Sequence, residues 1–393
     1  MISKQDVLDR AAEWQLRPDV VEKDYVLGWL IVALASVRES SGSWVFKGGT
    51  CVKKCYFETY RFSEDLDFSL LPDAAYTAEE IGDTLREACA IAAELSGIEF
   101  PPELVEVRAR KNLQGEDTFL GLISYRGPLR MPIASLPRVR FDITQHEPVI
   151  DVPSPRIPLH AYPDSLPEAT SIAAYSMEEL LAEKTRALYE RTRPRDLYDV
   201  VFLLENHSAE FDLGVARGFF TRKCASKGLT VPSTQDLIRV IEAEVELRSE
   251  WENMLGHQLP ELPDLDSFLT RLPGNLDWID EPSAVPSSAR LPTLPVAATQ
   301  GARAAPSGLR YWGRGLPLEV LRFAGSNRLL VEFNYHGKTR LVEPYSLRQA
   351  DTGNLLLYGW ERGTTHIKAF NVAKIGSLRA TKQGFRPRYR IEL

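Results

Sequence analysis

Two aspartates one residue apart, in the stretch DLDFSL at residues 65–70, are the side chains of this sequence best suited to chemistry. Strand alternation places Asp65, Asp67 and Ser69 on one face and three apolar side chains on the other. Two carboxylates on one face repel each other unless they lie in water or share a cation. Mg²⁺ suits such a pair, because it prefers carboxylate oxygen and leaves coordination positions free for phosphate.

A third carboxylate occurs in a second alternating stretch, RVRFDIT at residues 138–144. Here Asp142 falls on the face opposite Val139, Phe141 and Ile143. If this strand is a neighbour of residues 65–70, Asp142 joins the acidic pair. This assignment depends on alternation alone.

The turn Lys47-Gly48-Gly49-Thr50 precedes the acidic strand. Glycines allow backbone N–H groups to approach a phosphate closely, and the neighbouring hydroxyl can donate as well. The pattern therefore predicts a phosphate-binding turn beside a metal-binding strand. The alternative is a tight turn followed by a solvated acidic strand edge.

Lys184 lies on the apolar stripe of a predicted amphipathic helix. An inward-pointing lysine usually has an anionic partner, although it can also extend its ammonium group to solvent near a helix end. The other members of the stripe are Met177, Leu180, Leu181 and Leu188.

The next helix is predicted to begin at Pro194, which suits a first helical turn. Asp196 would complement the helix dipole there, which is its purely structural interpretation. Asp199 lies three residues on and shares its face. With Arg195, these acids are candidates to orient Lys184 or contact a nucleotide, and the choice between Asp196 and Asp199 stays open.

The flanking pattern predicts helices at residues 4–14, 20–37 and 77–95 and strands at residues 103–110, 119–125 and 138–144. Thr77 with Glu80, and Ser176 with Glu179, are capping-box signatures. Residues 176–272 are mainly helical. Residues 281–308, rich in Pro, Ala and Ser, are predicted to be a linker. The strand-like runs after it, which predict a small β-barrel, are RLLVEFNYHG, KTRLVEPYSLRQ, NLLLYGW, HIKAFNV and RYRIEL.

Composition bounds the class of protein. The 393 residues are too many for one core, and the net charge of -7 conceals a basic tail, with 15 Lys and Arg against 6 Asp and Glu in residues 309–393. No signal peptide or membrane span is evident, so we expect a cytoplasmic protein with no membrane partner. The four cysteines fit no zinc spacing.

These motifs together resemble the AbiEii/AbiGii-type nucleotidyltransferase toxins, which are type IV toxin-antitoxin members of the DNA polymerase β-like superfamily. The resemblance covers about residues 1–270 and is carried by VEKDYVLGWL, GGT, RFSEDLDF, YSMEELLAEK and PRDLYD. It implies an α+β fold in three parts: a polymerase β-like core of mixed sheet and helices, a helical subdomain, and a small all-β SH3-like barrel. The expected bounds are 1–170 for the core, 171–280 for the helical subdomain that completes the active site, 281–308 for the linker and 309–393 for the barrel.

The resemblance also assigns roles. It implies two Mg²⁺ ions held by Asp65, Asp67 and Asp142, an NTP substrate, and catalytic contributions from Lys184 and from Asp196 or Asp199. The residues expected to bind the NTP are Lys47, Gly48, Gly49, Thr50, Ser63 and Arg195. The implied acceptor is RNA, and we expect it to be the tRNA 3′ end. The resemblance also implies growth arrest as the outcome, a function in phage defence, and an antitoxin encoded nearby.

The C-terminal region is more weakly similar to WYL domains, with Leu-Leu-Tyr in place of the signature tripeptide. This similarity implies a basic surface for nucleic acid, whose candidates are Arg340, Arg362, Lys368 and Lys374. A solvated face without a ligand is the alternative for these residues. A non-catalytic regulator that senses nucleotide or nucleic acid through this region is the alternative function.

Overall fold

The computed structural model describes residues 1–72, 76–111, 115, 117–168, 170–281, 291–295, 299, 301–304 and 318–393. The chain divides into two compact units. The first consists of Met1–Ala12, Leu16–Arg186 and Gly218–Val231, and the second of Glu13–Gln15, Ala187–Arg217 and Pro232–Leu393. The domain bounds expected from the sequence stay predictions.

Helices and strands alternate irregularly through the first unit, as in an α+β fold. A short α-helix begins at the glycines, and a π-helical turn, Val52–Tyr56, follows it. The elements up to residue 191 are α1 (Lys4–Trp14), α2 (Pro18–Ser36), α3 (Arg38–Ser41), β1 (Trp44–Lys47), α4 (Gly48–Cys51), β2 (Asp65–Leu70), α5 (Ala78–Ser96), β3 (Val105–Lys111), β4 (Asp117–Ser124), β5 (Arg138–Thr144), β6 (Ser154–Arg156), β7 (Ile172–Ala174) and α6 (Met177–Arg191).

The two long helices of this unit have different sequence patterns. Helix α2 begins with Pro18 in its first turn and is apolar nearly all round, so it is buried on most sides. Helix α5 is amphipathic and begins with a complete capping box between Thr77 and Glu80. It ends at Gly97, whose φ of 75° is the left-handed conformation that glycine adopts without strain.

A mixed seven-stranded sheet in the order β3-β4-β5-β2-β1-β7-β6 forms the centre of the unit. Strand β1 runs antiparallel to β2, and β2 runs parallel to β5. Helix α5 lies on the sheet face that carries Gly121 and Phe141, where a Cβ added at Gly121 would be 2.9 Å from Cδ1 of Leu85. The opposite face carries the polar side chains of β2 and β5.

The second unit begins with helices and ends in an all-β sheet, as expected. Helices α1, α6 and α8 contribute residues to both units. The remaining elements are α7 (Pro194–His207), α8 (Leu213–Ser226), α9 (Thr234–Ala243), α10 (Val245–Leu255), α11 (Leu265–Leu276), β8 (Ala302–Ala304), α12 (Leu318–Ser326), β9 (Leu329–Tyr335), β10 (Lys338–Ala350), β11 (Leu355–Glu361), β12 (Lys368–Asn371) and β13 (Ile375–Gly384).

The C-terminal strands pair in the order β12-β11-β10-β9-β13, and β8 pairs with β10. Their core is built on Leu330, Tyr345, Tyr358 and Phe385. The predicted linker lies largely outside the described residues, and Ala302–Ala304 within it form β8. The SH3-like closure and the WYL resemblance stay predictions.

Two local predictions were wrong. The run RYRIEL is not a strand, because only Glu392 forms an isolated bridge, to Ser346. The strand is instead β13, whose sequence IGSLRATKQG has weak alternation. The second capping box is only half formed: Ser176 Oγ accepts from the Glu179 N–H at 3.3 Å, but the Glu179 carboxylate accepts from Ile150 and Asp151 N–H instead.

The four cysteines are buried free thiols. Within the described ranges, no helix combines the length and apolar character needed to cross a bilayer.

A buried ion pair joins α2 to the turn that follows the glycines. Lys54 Nζ lies 2.6 Å from Asp24 Oδ2, and the Tyr162 hydroxyl donates to the same oxygen at 2.8 Å. Burial alone would raise the pKa of Asp24, but the charges of Lys54 and Lys53 and these hydrogen bonds lower it. Asp24 is therefore an ionised group inside the core.

Replacing Lys54 with Met should lower the free energy of unfolding by about 3 to 5 kcal/mol, because it leaves the buried Asp24 carboxylate without its nearest cation. Chemical denaturation followed by circular dichroism measures this loss. The double variant Asp24→Asn/Lys54→Met should recover most of it. An equal loss in the single and double variants would show that the ion pair is not the cause.

Candidate active site

The pairing of β2 with β5 brings the three predicted carboxylates onto one face of the sheet. Asp67 of β2 is in register with Asp142 of β5, and Asp65 of β2 is in register with Arg140 of β5. Register partners on adjacent strands point to the same side and are about 5 Å apart. The adjacency that the sequence left conditional is therefore present.

The crowded charges perturb Asp67. Burial and the neighbouring charges of Asp142 and Asp65 raise the pKa of Asp67 to about 7, against the smaller opposing effects of Lys184 and Lys47. Near neutral pH the Asp67 carboxyl group is therefore partly protonated, whereas an aspartate with its usual pKa would be ionised. A divalent cation would take the place of that proton.

The glycine turn lies directly against this acid. Gly48 has φ of 78°, and a Cβ at that position would overlap the Asp67 carboxylate, so both the backbone conformation and the space require glycine. A Cβ at Gly49 would be 2.6 Å from Arg61 Nη2 and 3.1 Å from Ser63 Oγ. The turn therefore brings backbone, a guanidinium group and a hydroxyl beside the carboxylates.

Thr50 and Lys47 hold this arrangement from inside the protein. The buried Thr50 hydroxyl donates to the backbone carbonyl of Asp65. Lys47, in register with Asp67, forms a buried ion pair with Glu147. Burial tends to lower the pKa of Lys47, but the charges of Glu147, Glu183 and Asp67 outweigh it and raise the pKa. Lys47 is thus a permanent positive charge on the same sheet face as Asp67.

Lys184 is on α6, and its charge lowers the pKa of Asp67, so the predicted inward lysine belongs to the same site. It is 9% exposed, which does not fit an ammonium group extended to solvent. Its anionic partner and its role in the site stay predictions.

Lys223 is a site-supporting residue that the sequence analysis missed. Its ammonium group lies 2.8 Å from Glu179 and 3.2 Å from Glu183, both on α6, and 3.2 Å from the Tyr175 hydroxyl. Tyr175 in turn shares a 2.8 Å hydrogen bond with Ser69 of β2. This buried network fixes α6, and hence Lys184, relative to the acidic strand.

A sequence signal for Lys223 existed. Ala216, Phe220 and Cys224 form a buried stripe at helical spacing, and Lys223 borders it. The same test that identified Lys184 would therefore have identified Lys223.

The predicted residues of α7 lie in the second compact unit. Asp196 is buried and receives two hydrogen bonds from Arg191, at 2.7 and 3.0 Å. Asp199 is also buried, and Arg195 donates to the Met254 carbonyl at 3.3 Å. The position of Asp196 in the first turn agrees with its structural interpretation.

Three of the four basic candidates of the C-terminal region have acidic partners. Arg340 lies 2.6 Å from Glu361, which Lys368 also contacts, and Arg362 lies 3.9 Å from Glu343. Lys374 is exposed. Because Arg340 and Lys368 share one carboxylate, these acidic neighbours offset only part of the positive charge.

The acidic face has the ligand chemistry of a magnesium site, because its donors are carboxylate oxygens whose mutual repulsion already raises a pKa. In the part of the chain that the structure describes, no three Asp, Glu, His or Cys side chains are arranged to share one ion. Asp142 is turned to Arg140, which donates to both of its oxygens at 2.8 and 2.9 Å. Rotation of the Asp142 side chain would be needed for all three carboxylates to face one cation.

Comparison with known proteins relates this site to a family. The model for the nucleotidyl transferase AbiEii toxin, of type IV toxin-antitoxin systems, matches residues 29–272. The chain belongs to the AbiEii toxin family. The matched span contains the glycine turn, β2, β5, α6 and α7. The resemblance inferred from the sequence motifs is therefore confirmed, and the protein is a nucleotidyltransferase enzyme.

Other comparisons add less. The chain is similar to the solved structure of MenT4, a nucleotidyltransferase toxin from Mycobacterium tuberculosis, with 19% identity and a TM-score of 0.45 over 72% of this chain and 90% of that one. A search of curated proteins found no match. AbiEii family membership implies a nucleotide substrate and an antitoxin partner, and nucleotidyltransferases of this kind use NTP and divalent metals.

Replacing Gly48 with Ala should lower the transferase rate by about 100-fold or more, because the new Cβ would overlap the Asp67 carboxylate and impose a left-handed conformation on alanine. Steady-state transfer of label from an NTP measures the effect. The control is Gly42→Ala, whose Cβ would meet nothing within 4 Å. Equal activity of the two variants would contradict the close contact at Gly48.

The raised pKa of Asp67 predicts that metal-free protein loses stability as pH rises from about 4 to 7. In this window the folded state retains a proton that the unfolded chain has released, so raising the pH favours unfolding. The expected loss is on the order of 1 to 3 kcal/mol, measured by denaturant titration at several pH values.

The Asp67→Asn variant should flatten this pH dependence, whereas Asp83→Asn, a change at an exposed side chain of α5, should not. A pH dependence that is unchanged in Asp67→Asn would show that Asp67 is not the titrating group.

Proposed function

We propose that this enzyme transfers an NMP from an NTP to an RNA acceptor, and that the acceptor is the 3′ end of tRNA. The observation that carries the proposal is the single sheet face that joins the glycine turn to Asp65, Asp67 and Asp142. A triphosphate needs both parts, since backbone N–H groups can bind its phosphates while carboxylates hold the accompanying cations.

In the proposed reaction, the oxygen of an RNA hydroxyl forms a bond to the α-phosphorus of the NTP. The bond from that phosphorus to the oxygen bridging to the β-phosphate breaks, pyrophosphate leaves, and the hydroxyl proton passes to solvent. Asp65, Asp67 and Asp142 would hold two Mg²⁺ ions. When bound, these ions lower the pKa of the attacking hydroxyl and neutralise charge on the leaving oxygens.

The remaining residues would position and neutralise the triphosphate. Lys184 supplies a positive charge already fixed in place, so that no reorganisation is needed as charge develops. Gly48, Gly49 and Ser63 would contact phosphate oxygens. Lys47 and Thr50 would act through the positions of Asp67 and Asp65, because their polar groups already bind Glu147 and the Asp65 carbonyl.

Arg195 with Asp196 or Asp199 would contribute from α7. Asp196 is bound by Arg191, which agrees with its structural interpretation, and the choice between Asp196 and Asp199 as the essential acid stays open. In the cytoplasm of the host cell, modification of tRNA 3′ ends would block translation and arrest growth. This outcome is expected of a toxin that acts in phage defence and is controlled by an antitoxin.

Asp65→Asn should abolish transfer, with a loss of about 100-fold or more, since it removes one carboxylate from the proposed metal-binding face. Purified protein is incubated with Mg²⁺, total RNA and each labelled NTP in turn, and labelled RNA is measured after electrophoresis. Asp117→Asn, a change at a partly exposed acid in the same sheet, is the matched control. Transfer that persists in Asp65→Asn would overturn the proposal.

A second candidate function is favoured by the C-terminal sheet. An open cleft of about 340 Å³ there is lined by Tyr335, Arg340, Glu361, Lys368 and Phe370. Aromatic and cationic groups together suit a nucleotide or nucleic acid, as a non-catalytic sensor would require. Full-length protein that transfers no label but binds RNA with strong salt dependence, and loses this binding in Arg340→Gln/Lys368→Gln, would favour this function.

A further inference from the structure

Four arginines share the sheet face of the proposed catalytic carboxylates. Register partners place Arg108 of β3, Leu120 of β4, Asp142 of β5 and Asp67 of β2 in one row across the sheet. Side chains in such a row point to the same side. Arg140 and Arg138 of β5 and Arg110 of β3 are displaced by two or four residues from members of the row, so they point to that side as well.

This part of the sheet face is open. All four arginines are exposed, and the side chains of Arg108 and Arg140 retain 66% and 48% of their accessible surface. Helix α5 lies on the opposite face, against Gly121. Within the first unit, the face formed by β3, β4 and β5 is therefore accessible to a partner molecule. We name it the arginine face.

The arginine face carries excess positive charge. Arg108 lies 2.8 Å from Glu106, and Arg140 binds Asp142. Arg110 and Arg138 form no ion pair with any carboxylate among the described residues. These two guanidinium groups are thus available to an external anion, in contrast to Arg340 and Lys368 of the C-terminal sheet.

The dimensions of the arginine face fit a short length of polynucleotide. Two strand spacings, about 10 Å, separate β3 from β5. Arg110 lies in the row of Thr144, so six residues along the strand direction, about 20 Å, separate it from Arg138. A stacked strand carries a phosphate about every 3.4 Å, so about six nucleotides would cross this distance. Guanidinium groups bind phosphate through paired hydrogen bonds and do not read sequence.

We infer that the arginine face binds the phosphate backbone of the last few nucleotides of the RNA acceptor and thereby delivers its terminal hydroxyl to the carboxylates. The inference rests on the proposed function for the identity of the acceptor. It assigns RNA binding to the sheet that carries the acidic site, and not to the basic tail.

The test compares the full-length double variant Arg110→Glu/Arg138→Glu with wild type. The matched control is Lys4→Glu/Arg86→Glu, which makes the same change of net charge at two exposed cations on helices of the same unit. Binding of fluorescein-labelled bulk tRNA is followed by anisotropy at several salt concentrations without NTP. Thermal unfolding confirms that each variant is folded, and binding of a fluorescent NTP is measured in parallel.

In Arg110→Glu/Arg138→Glu, the Kd for tRNA should rise by about tenfold or more, and the slope of log Kd against log salt concentration should fall by about 1.5. The control should retain both values. Affinity for the NTP should change by less than about twofold in either variant, because the arginine face lies beside the triphosphate site and not within it.

The inference is overturned if both double variants bind tRNA alike, or if Arg362→Glu/Lys374→Glu in the tail weakens binding while Arg110→Glu/Arg138→Glu does not. It is also overturned if Arg110→Glu/Arg138→Glu loses affinity for polyglutamate but not for tRNA, which would indicate an acidic protein partner. Binding is scored without catalysis, so absence of label transfer by wild type would refute the proposed function and leave this comparison intact.

Discussion

The repulsion between carboxylates on β2 and β5 is the constraint that explains most of this site. Two unit charges at the spacing of adjacent strands, about 5 Å, would repel by about 3 kcal/mol at an effective dielectric constant near 20. Asp67 and Asp142 are in register on adjacent strands, and Asp65 lies two residues from Asp67 on β2. Such an arrangement persists only if neighbouring groups offset it. Lys184 and Lys47 supply positive charge, and Asp67 takes up a proton near neutral pH.

The rest of the first unit positions these compensating charges. Lys47 is fixed by Glu147, and α6 is fixed by the contacts of Lys223 with Glu179 and Glu183. The charges of Lys47, Lys223 and Arg186 in turn hold the pKa of Glu183 far below its usual value although burial opposes them. The carboxylates therefore lie on the same sheet face as a group of buried ion pairs that hold the positive charges in place.

Local features of this fold were predictable from the sequence because they depend on neighbouring residues. The limits of β2 and β5 follow from alternation, the start of α5 follows from its capping box, and the burial of Lys184 follows from helical spacing. Long-range contacts were not predictable in this way. The pairing of Lys47 with Glu147 joins residues 100 positions apart, and the sequence gives no signal of it.

The difference between local sequence signals and long-range contacts also explains the predictions that were wrong. Strand β13 has weak alternation, so its sequence was not recognised, whereas RYRIEL alternates but forms only one bridge. The basic tail was expected to offer free cations, but Glu361 lies between Arg340 and Lys368. The arginine face could not be found without register, because its members come from two strands separated in sequence by about 30 residues.

The central claim is that Asp65, Asp67 and Asp142 together hold divalent cations beside the glycine turn. Anomalous diffraction from crystals soaked with Mn²⁺ and a non-hydrolysable NTP analogue tests it most directly, since Mn²⁺ replaces Mg²⁺ on oxygen ligands and marks its own position. The account predicts anomalous peaks in contact with all three carboxylates, with Arg140 displaced from Asp142. Peaks elsewhere, or none at these residues while the analogue is bound, would contradict it.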